Sequence, residues 1–232
     1  MEKAPLMKNN ISLTTALPPM QIKLVNTGKR YNREWIFRKF NGYFETGSSY
    51  AITGNNGSGK STLLQIISGA ILKSEGEAIY TRAEKQIPEE EIHSQFSIAA
   101  PYLELIEEMT ALELLQFHQS FVALTLPADE ILHTVDLSAS AQKQIRYYSS
   151  GMKQRLKLGI AFFSHTPALL LDEPTSNLDA NGIALYHQLI KKNSAGRIVI
   201  ISSNDKNEYE FCNNVLKMED YKEAGAGLST KY

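Results

Sequence analysis

Gly54-Asn55-Asn56-Gly57-Ser58-Gly59-Lys60-Ser61 is the stretch that decides the fold. It has the pattern G-x-x-x-x-G-K-S. It lies between a β-like run, Ser49-Tyr50-Ala51-Ile52-Thr53, and apolar residues at helical spacing, Leu63, Leu64, Ile66 and Ile67. The glycines let the backbone wrap tightly, so that several N–H groups can face phosphate oxygens. A helix beginning near Lys60 adds the favourable end of its dipole. In such a loop Lys60 neutralises the β- and γ-phosphates and Ser61 holds Mg²⁺. The plain alternative is a glycine-rich turn that only caps a helix. The strand before and the helix after favour a nucleoside triphosphate site built from Gly54 through Ser61.

Working outward, Ala168-Leu169-Leu170-Leu171 is an apolar run closed by Asp172 and Glu173. The C-terminal ends of parallel strands face the ligand crevice. Asp172 is therefore placed to meet the Mg²⁺ held by Ser61, and Glu173 to act as general base on an attacking water. Alone, this would read as a buried strand and a solvated acidic turn; beside a phosphate loop it reads as the other half of a site. Strands are also expected from Gln21, over Glu34 to Phe40, around Glu77 to Tyr80, at Gln95 to Ala99 and at Ile198 to Ile201. Helices are expected from about Ser150 to Phe163 and Asp179 to Lys191, and an insert of helical spacing from Thr110 to about Ser140. Strands alternating with helices give an α/β domain with a largely parallel sheet.

The 232 residues are 43 % hydrophobic and 21 % charged, an ordinary globular mixture that excludes wholesale disorder and coiled-coil character. Net charge −1 offers no long-range attraction to a nucleic-acid polyanion, and no nucleic-acid partner is expected. One cysteine, Cys212, excludes an intramolecular disulfide and a multi-cysteine zinc site; it reads as a packing residue in a helix after Asn204. No apolar run is long enough to span a bilayer and the opening residues carry no secretory pattern, so a soluble, cytoplasmic chain is expected. Residues 1–19 read as a loose leader, 20–218 as the domain, and 219–232 as a short tail.

Three motifs in order make the chain resemble the ATP-binding subunit of ATP-binding cassette (ABC) transporters over about residues 20 to 218. Gly54 to Thr62 looks like Walker A. Tyr148-Ser149-Ser150-Gly151-Met152-Lys153-Gln154-Arg155 looks like the signature motif at the start of a helix. Asp172-Glu173-Pro174-Thr175-Ser176-Asn177-Leu178-Asp179 looks like Walker B running into the D-loop. The resemblance implies a P-loop NTPase fold, an ABC-type ATPase core with a mixed sheet plus a small helical subdomain at about 102–165. It implies ATP and Mg²⁺, and a head-to-tail dimer, homo- or heteromeric, in which Ser149, Ser150, Gly151 and Met152 of one subunit face the γ-phosphate held by the other. It further implies a separate membrane permease and a peripheral place on the inner face of the membrane. Tyr31 stands where the family keeps an aromatic that stacks on adenine; Trp35 is the competing candidate, and either could be only core.

The chain departs from the family at four positions. Pro101 stands where a glutamine usually couples metal and permease, with Gln95 lying before the strand end. Asn204 replaces the usual histidine facing the γ-phosphate, and an amide cannot shuttle a proton. Ser150 replaces glycine and Met152 replaces glutamine, a form that resembles a branch of drug, polysaccharide and haem exporters. His93, His118, His133, His165 and His187 read as surface or packing residues. ATP hydrolysis with Glu173 and Asn204 as the catalytic positions is expected, slowed by the missing Gln and His. The alternatives are a regulatory cassette that scarcely turns over, or a non-transport ABC ATPase.

Overall fold

The computed structural model describes residues 17–222. Most of the expected leader and residues 223–232 of the expected tail lie outside the described residues.

In chain order the elements are β1 (Met20–Tyr31), β2 (Glu34–Glu45), β3 (Ser49–Thr53), α1 (Lys60–Ile67), β4 (Glu75–Arg82), β5 (Lys85–Gln86), β6 (Phe96–Ala99), α2 (Ala111–Gln119) and α3 (Ala128–Thr134). They continue with α4 (Ser150–Phe163), β7 (Ala168–Asp172), α5 (Ala180–Asn193), β8 (Ile198–Ser202), α6 (Lys206–Tyr209) and β9 (Asn214–Lys217). The mixed strand directions fall into two sheets. One is antiparallel, in the order β2-β1-β4-β5; the other is parallel, in the order β6-β7-β8-β3-β9.

The central strands β7 and β8 of the parallel sheet are buried on both faces, which is why they read as continuous apolar runs. Alternate residues divide between two cores, as the strand period of two requires. Leu169, Leu171, Val199 and Ile201 enter one with the helices α2 to α5. Ala168, Leu170, Ile198 and Ile200 enter the other with α1 and the inner face of the antiparallel sheet. Burying one leucine of this kind contributes about 1.5–3 kcal/mol. The resulting rigid sheet places the C-terminal ends of β3, β7 and β8 side by side, since Ala51 pairs with Ile201 and Asp172 with Ser202.

The helical insert forms as α2 and α3, packed on α4. Thr110 and Glu113 make a capping box that fixes the start of α2. Helix α4 also packs on β6, so it belongs to both the insert and the sheet domain.

A 3-10 turn, Met218–Tyr221, follows β9, with Met218 fully buried and the Tyr221 ring 4.6 Å from that of Phe40. Two local expectations are corrected. Cys212 lies beyond α6 rather than in a helix, because the chain turns at Glu210 to enter β9. It does pack against the helical core, and burial pushes its thiol up to about 12. The second strand continues past Phe40 to Glu45, carried by register shifts in its pairing with β1.

Candidate functional site

The phosphate-loop octet connects β3 to α1. Gly54, Gly57 and Gly59 have φ of 145°, 76° and 100°, which side chains rarely adopt. At Gly59 space is also limiting, since a Cβ would lie 2.6 Å from Cγ2 of Ile36 on β2. Gly59 caps α1 without any side-chain hydrogen bond, so the first N–H groups of the helix have no side-chain acceptor among the described residues. Ser61 and Thr62 follow in the first turn. Lys60 is 6 % exposed, and its ammonium donates to the Gly54 carbonyl at 2.6 Å and the Asn55 carbonyl at 3.5 Å, folded back along the loop.

At the end of β7, Asp172 is 2 % exposed and its Oδ1 has no hydrogen-bond partner among the described residues. A buried carboxylate oxygen without a partner is costly. A cation shared with the Ser61 hydroxyl would satisfy it, so the donor set fits Mg²⁺. Glu173, the next residue, is exposed and has a φ of 43°, a left-handed conformation for a non-glycine residue. Its N–H donates to the Ser202 carbonyl at 2.9 Å, which anchors the turn to β8.

Asn204 reaches the phosphate loop directly. Its Oδ1 accepts from the Gly54 N–H at 3.1 Å and its Nδ2 donates to Asn56 Oδ1 at 3.3 Å. Glu219 holds the same arm from the other side, accepting the Asn55 N–H at 2.8 Å. That hydrogen bond, with the Lys60 charge as a lesser contribution, keeps its carboxyl below the usual range. Glu219 escaped the sequence reading because its partner is 164 residues away and no motif marks it. Tyr102 was also missed. Its phenol lies by the Gln65 side chain, and partial burial together with the Asp172 charge pushes it up to about 12. It follows Pro101 immediately, on the loop whose Ala100 and Pro101 carbonyls accept from the Lys157 ammonium at 3.1 and 3.3 Å. Gln95 lies at the opposite, N-terminal end of β6, where it accepts from Arg82.

The residues resembling a signature motif do not join this constellation within one chain. Ser149 caps α4, its Oγ accepting from the Met152 N–H at 3.2 Å, and Ser150 and Gly151 form the first turn. Ser149 to Met152 line a cavity with Asn177 and Asp179, to which no residue of Gly54–Thr62 contributes. A Cβ on Gly151 would come 3.0 Å from the Asn177 carbonyl. The two motifs are thus packed together, and Arg155 reinforces this by bridging Asp136 and Asp179 at 2.9 Å each.

Both aromatic candidates lie on the β1–β2 hairpin. Tyr31 is 47 % exposed with Lys29 Nζ 4.8 Å from its ring centroid. Trp35 is half-buried, with the guanidinium carbons of Arg30 and Arg38 5.3 and 4.2 Å from its ring.

Asp179 also has its carboxyl held low, first by the Gly182 N–H and then by Arg155. Groups with folded pKa values below their unfolded ones contribute stability above the unfolded pKa and lose it as pH falls through the folded value. With Glu219 and Asp179 both lowered, the thermal midpoint is expected to hold steady down to about pH 5 and to fall below about pH 4. A midpoint unchanged between pH 5 and pH 3 would contradict both assignments.

A family model described as ABC transporter matches residues 37–176. The chain is 30 % identical over 210 residues to the uncharacterised ABC transporter ATP-binding protein YybJ of Bacillus subtilis, covering 85 % of this chain and 92 % of that one. It is 30 % identical over 192 residues to the cytochrome c biogenesis ATP-binding export protein CcmA of Rhizobium etli, covering 80 % and 88 %. Among solved structures, a dimeric ATP-binding cassette in a post-hydrolysis state with ADP and phosphate superposes with a TM-score of 0.74 at 24 % identity, over 84 % of this chain and 93 % of that one. At that identity the likeness speaks to fold.

Proposed function

Because this chain belongs to the ABC transporter family as an ATP-binding, ATP-hydrolysing subunit, we propose that it works as one half of a head-to-tail pair of cassettes that drives a separate membrane permease. The observation that carries this reading is the separation of Ser149–Met152 from the phosphate loop within one chain. A second cassette, identical or related, brings its own signature residues to the phosphate, where the N-terminus of α4 offers backbone N–H groups to an anion.

In the proposed site, Gly54 to Thr62 wrap the phosphates with backbone N–H groups and Lys60 balances their charge. Ser61 and Asp172 would hold Mg²⁺, which would supply positive charge to offset the charge developing on the phosphates. Glu173 orients the attacking water and accepts its proton. Asn204 steadies the Gly54–Asn56 arm by donating and accepting hydrogen bonds, the two things an amide can do where no proton is shuttled. Tyr31 or Trp35 supplies a face to the adenine. Loss of the γ-phosphate removes the anion bridging the two subunits, so the pair opens.

Subunits of this family pair with permeases, and among the described residues no helix is long and apolar enough to cross a membrane. The place we propose is therefore the inner face of the membrane, reached through the permease. Export is the favoured direction, supported by the Ser150 and Met152 form of the signature and by the export function named for CcmA. A second reading, a regulatory cassette that closes on ATP and scarcely turns over, is favoured by Pro101 and Asn204.

The test is Mg²⁺-dependent phosphate release over a range of protein concentrations, with light scattering with and without ATP. Turnover per subunit is expected to rise with concentration as the ATP-dependent dimer forms. Full turnover by a species that stays monomeric would overturn the shared site. ATP-driven dimerisation without turnover, persisting with the permease present, would favour the regulatory reading.

A further inference from the structure

Glu208 has no place in the site as described so far. It lies on α6, four residues after Asn204, and is 3 % exposed. Its Oε1 accepts the Thr175 N–H at 2.7 Å and also the Thr175 hydroxyl. No lysine or arginine pairs with it among the described residues. Its backbone is fixed as well, the Glu208 carbonyl accepting from the fully buried Tyr186 hydroxyl at 2.6 Å. A carboxylate taken so far out of water needs a reason to be there.

The turn that Glu208 holds is the one carrying Glu173. Left-handed φ at a non-glycine residue persists only where the surroundings over-determine it. Here Thr175 is held by Glu208, and the Pro174 carbonyl accepts from Nε2 of Gln154, a buried residue of α4, at 2.8 Å. The Glu173 N–H on Ser202 is the third tie. The segment from Asn204 to Glu208 thus touches both halves of the site: Asn204 holds the Gly54–Asn56 arm, and Glu208 holds the turn after β7.

We infer that Glu208 is a positioning residue, which fixes the Glu173–Thr175 turn and so ties the water-activating carboxylate to the phosphate loop through the five-residue segment beginning at Asn204. The inference rests on the reading of Glu173 as general base. It makes the segment after β8 responsible for aligning two catalytic elements, a task that Asn204 alone cannot perform from the phosphate-loop side.

The experiment compares Glu208→Ala, Glu208→Gln and Thr175→Val in steady-state ATP hydrolysis, alongside nucleotide binding and thermal unfolding. Displacing a reacting group by an ångström costs on the order of 100-fold in rate. Glu208→Ala is expected to lower kcat by about 10- to 100-fold while KM for ATP stays within about 3-fold, the split that marks lost transition-state alignment. Glu208→Gln keeps an oxygen able to accept from Thr175, and should recover kcat to within about 3-fold of the parent. Thr175→Val, which keeps the backbone N–H bond and loses the hydroxyl, should show a smaller loss of kcat in the same direction. An unchanged kcat in Glu208→Ala would overturn the inference. So would a parallel collapse of kcat, ATP affinity and thermal midpoint that Glu208→Gln fails to repair. If Glu208→Ala does not fold, parental kcat in Thr175→Val overturns it and a selective loss there supports it. Glu173→Gln, run alongside, separates the failures: normal turnover in that variant removes the base itself, whereas a silent Glu173→Gln beside a parental Glu208→Ala removes only the positioning role.

Discussion

Glu173→Gln is expected to bind ATP as the parent does, to lose about 100- to 10,000-fold in turnover, and to accumulate as an ATP-bound dimer. The substitution keeps size and shape but replaces the oxygen proposed to accept the water's proton with an amide that cannot. Folding should be spared, because Glu173 is exposed and its side chain has no hydrogen-bond partner among the described residues. Its left-handed backbone is equally compatible with glutamine, which has the same Cβ. Removing a negative charge next to the phosphates can only help binding, since like charges at short range repel. The check is phosphate release under single-turnover conditions, with nucleotide affinity and light scattering on the same sample. Parental turnover would remove Glu173 as base and return the role to another group of the site. Turnover lost together with ATP affinity would mean that the substitution damages the loop rather than the chemistry.

The parts of this site that could be read from the sequence are those in which local chain geometry dictates residue type. Gly59 must be glycine because its φ is left-handed and Ile36 occupies the space of a Cβ, and both demands are met within a short, recognisable octet. Leu169 to Leu171 are apolar in an unbroken run because the strand is buried on both faces, which also announces where Asp172 must emerge. Ser149 was placed at a helix start by the likeness to the signature motif, and in the structure its side chain does cap α4. By contrast, Glu208 and Glu219 act through hydrogen bonds to residues far away along the chain, Glu208 to the N–H and hydroxyl of Thr175 and Glu219 to the Asn55 N–H. A backbone N–H can be met by almost any acceptor from any direction, so such a contact leaves no spacing for a reader to find. The β9 strand was missed for a related reason. Asn214 to Lys217 is largely exposed at the sheet edge, with only Leu216 partly buried, and needs no continuous apolar run. The contacts of Tyr221 and Glu219 with Phe40 and Asn55 are likewise invisible to any local pattern.

Lys60→Ala should act differently from Glu173→Gln, by removing nucleotide binding itself. Lys60 is 6 % exposed and its ammonium is held by two loop carbonyls, so it is already in place beside the backbone proposed to wrap the phosphates. Truncating one member of a buried, hydrogen-bonded charge pair costs about 2–5 kcal/mol or more, which is a loss of roughly 30-fold or greater in affinity. ATP-driven dimerisation and turnover should fall with it, because both need the bound triphosphate. The variant also leaves the Gly54 carbonyl without its donor, so some loss of stability is expected, and circular dichroism must show that the fold persists. Titration with a fluorescent ATP analogue then decides the matter. Unchanged affinity in a folded Lys60→Ala protein would withdraw the phosphate-loop assignment, and with it the roles given to Ser61 and Asp172. A large loss of affinity in Lys60→Ala, set against retained affinity and lost turnover in Glu173→Gln, would divide the site into a part that binds and a part that reacts. Asn204 and Glu208, at the two ends of one five-residue segment, would then be what holds those parts in register.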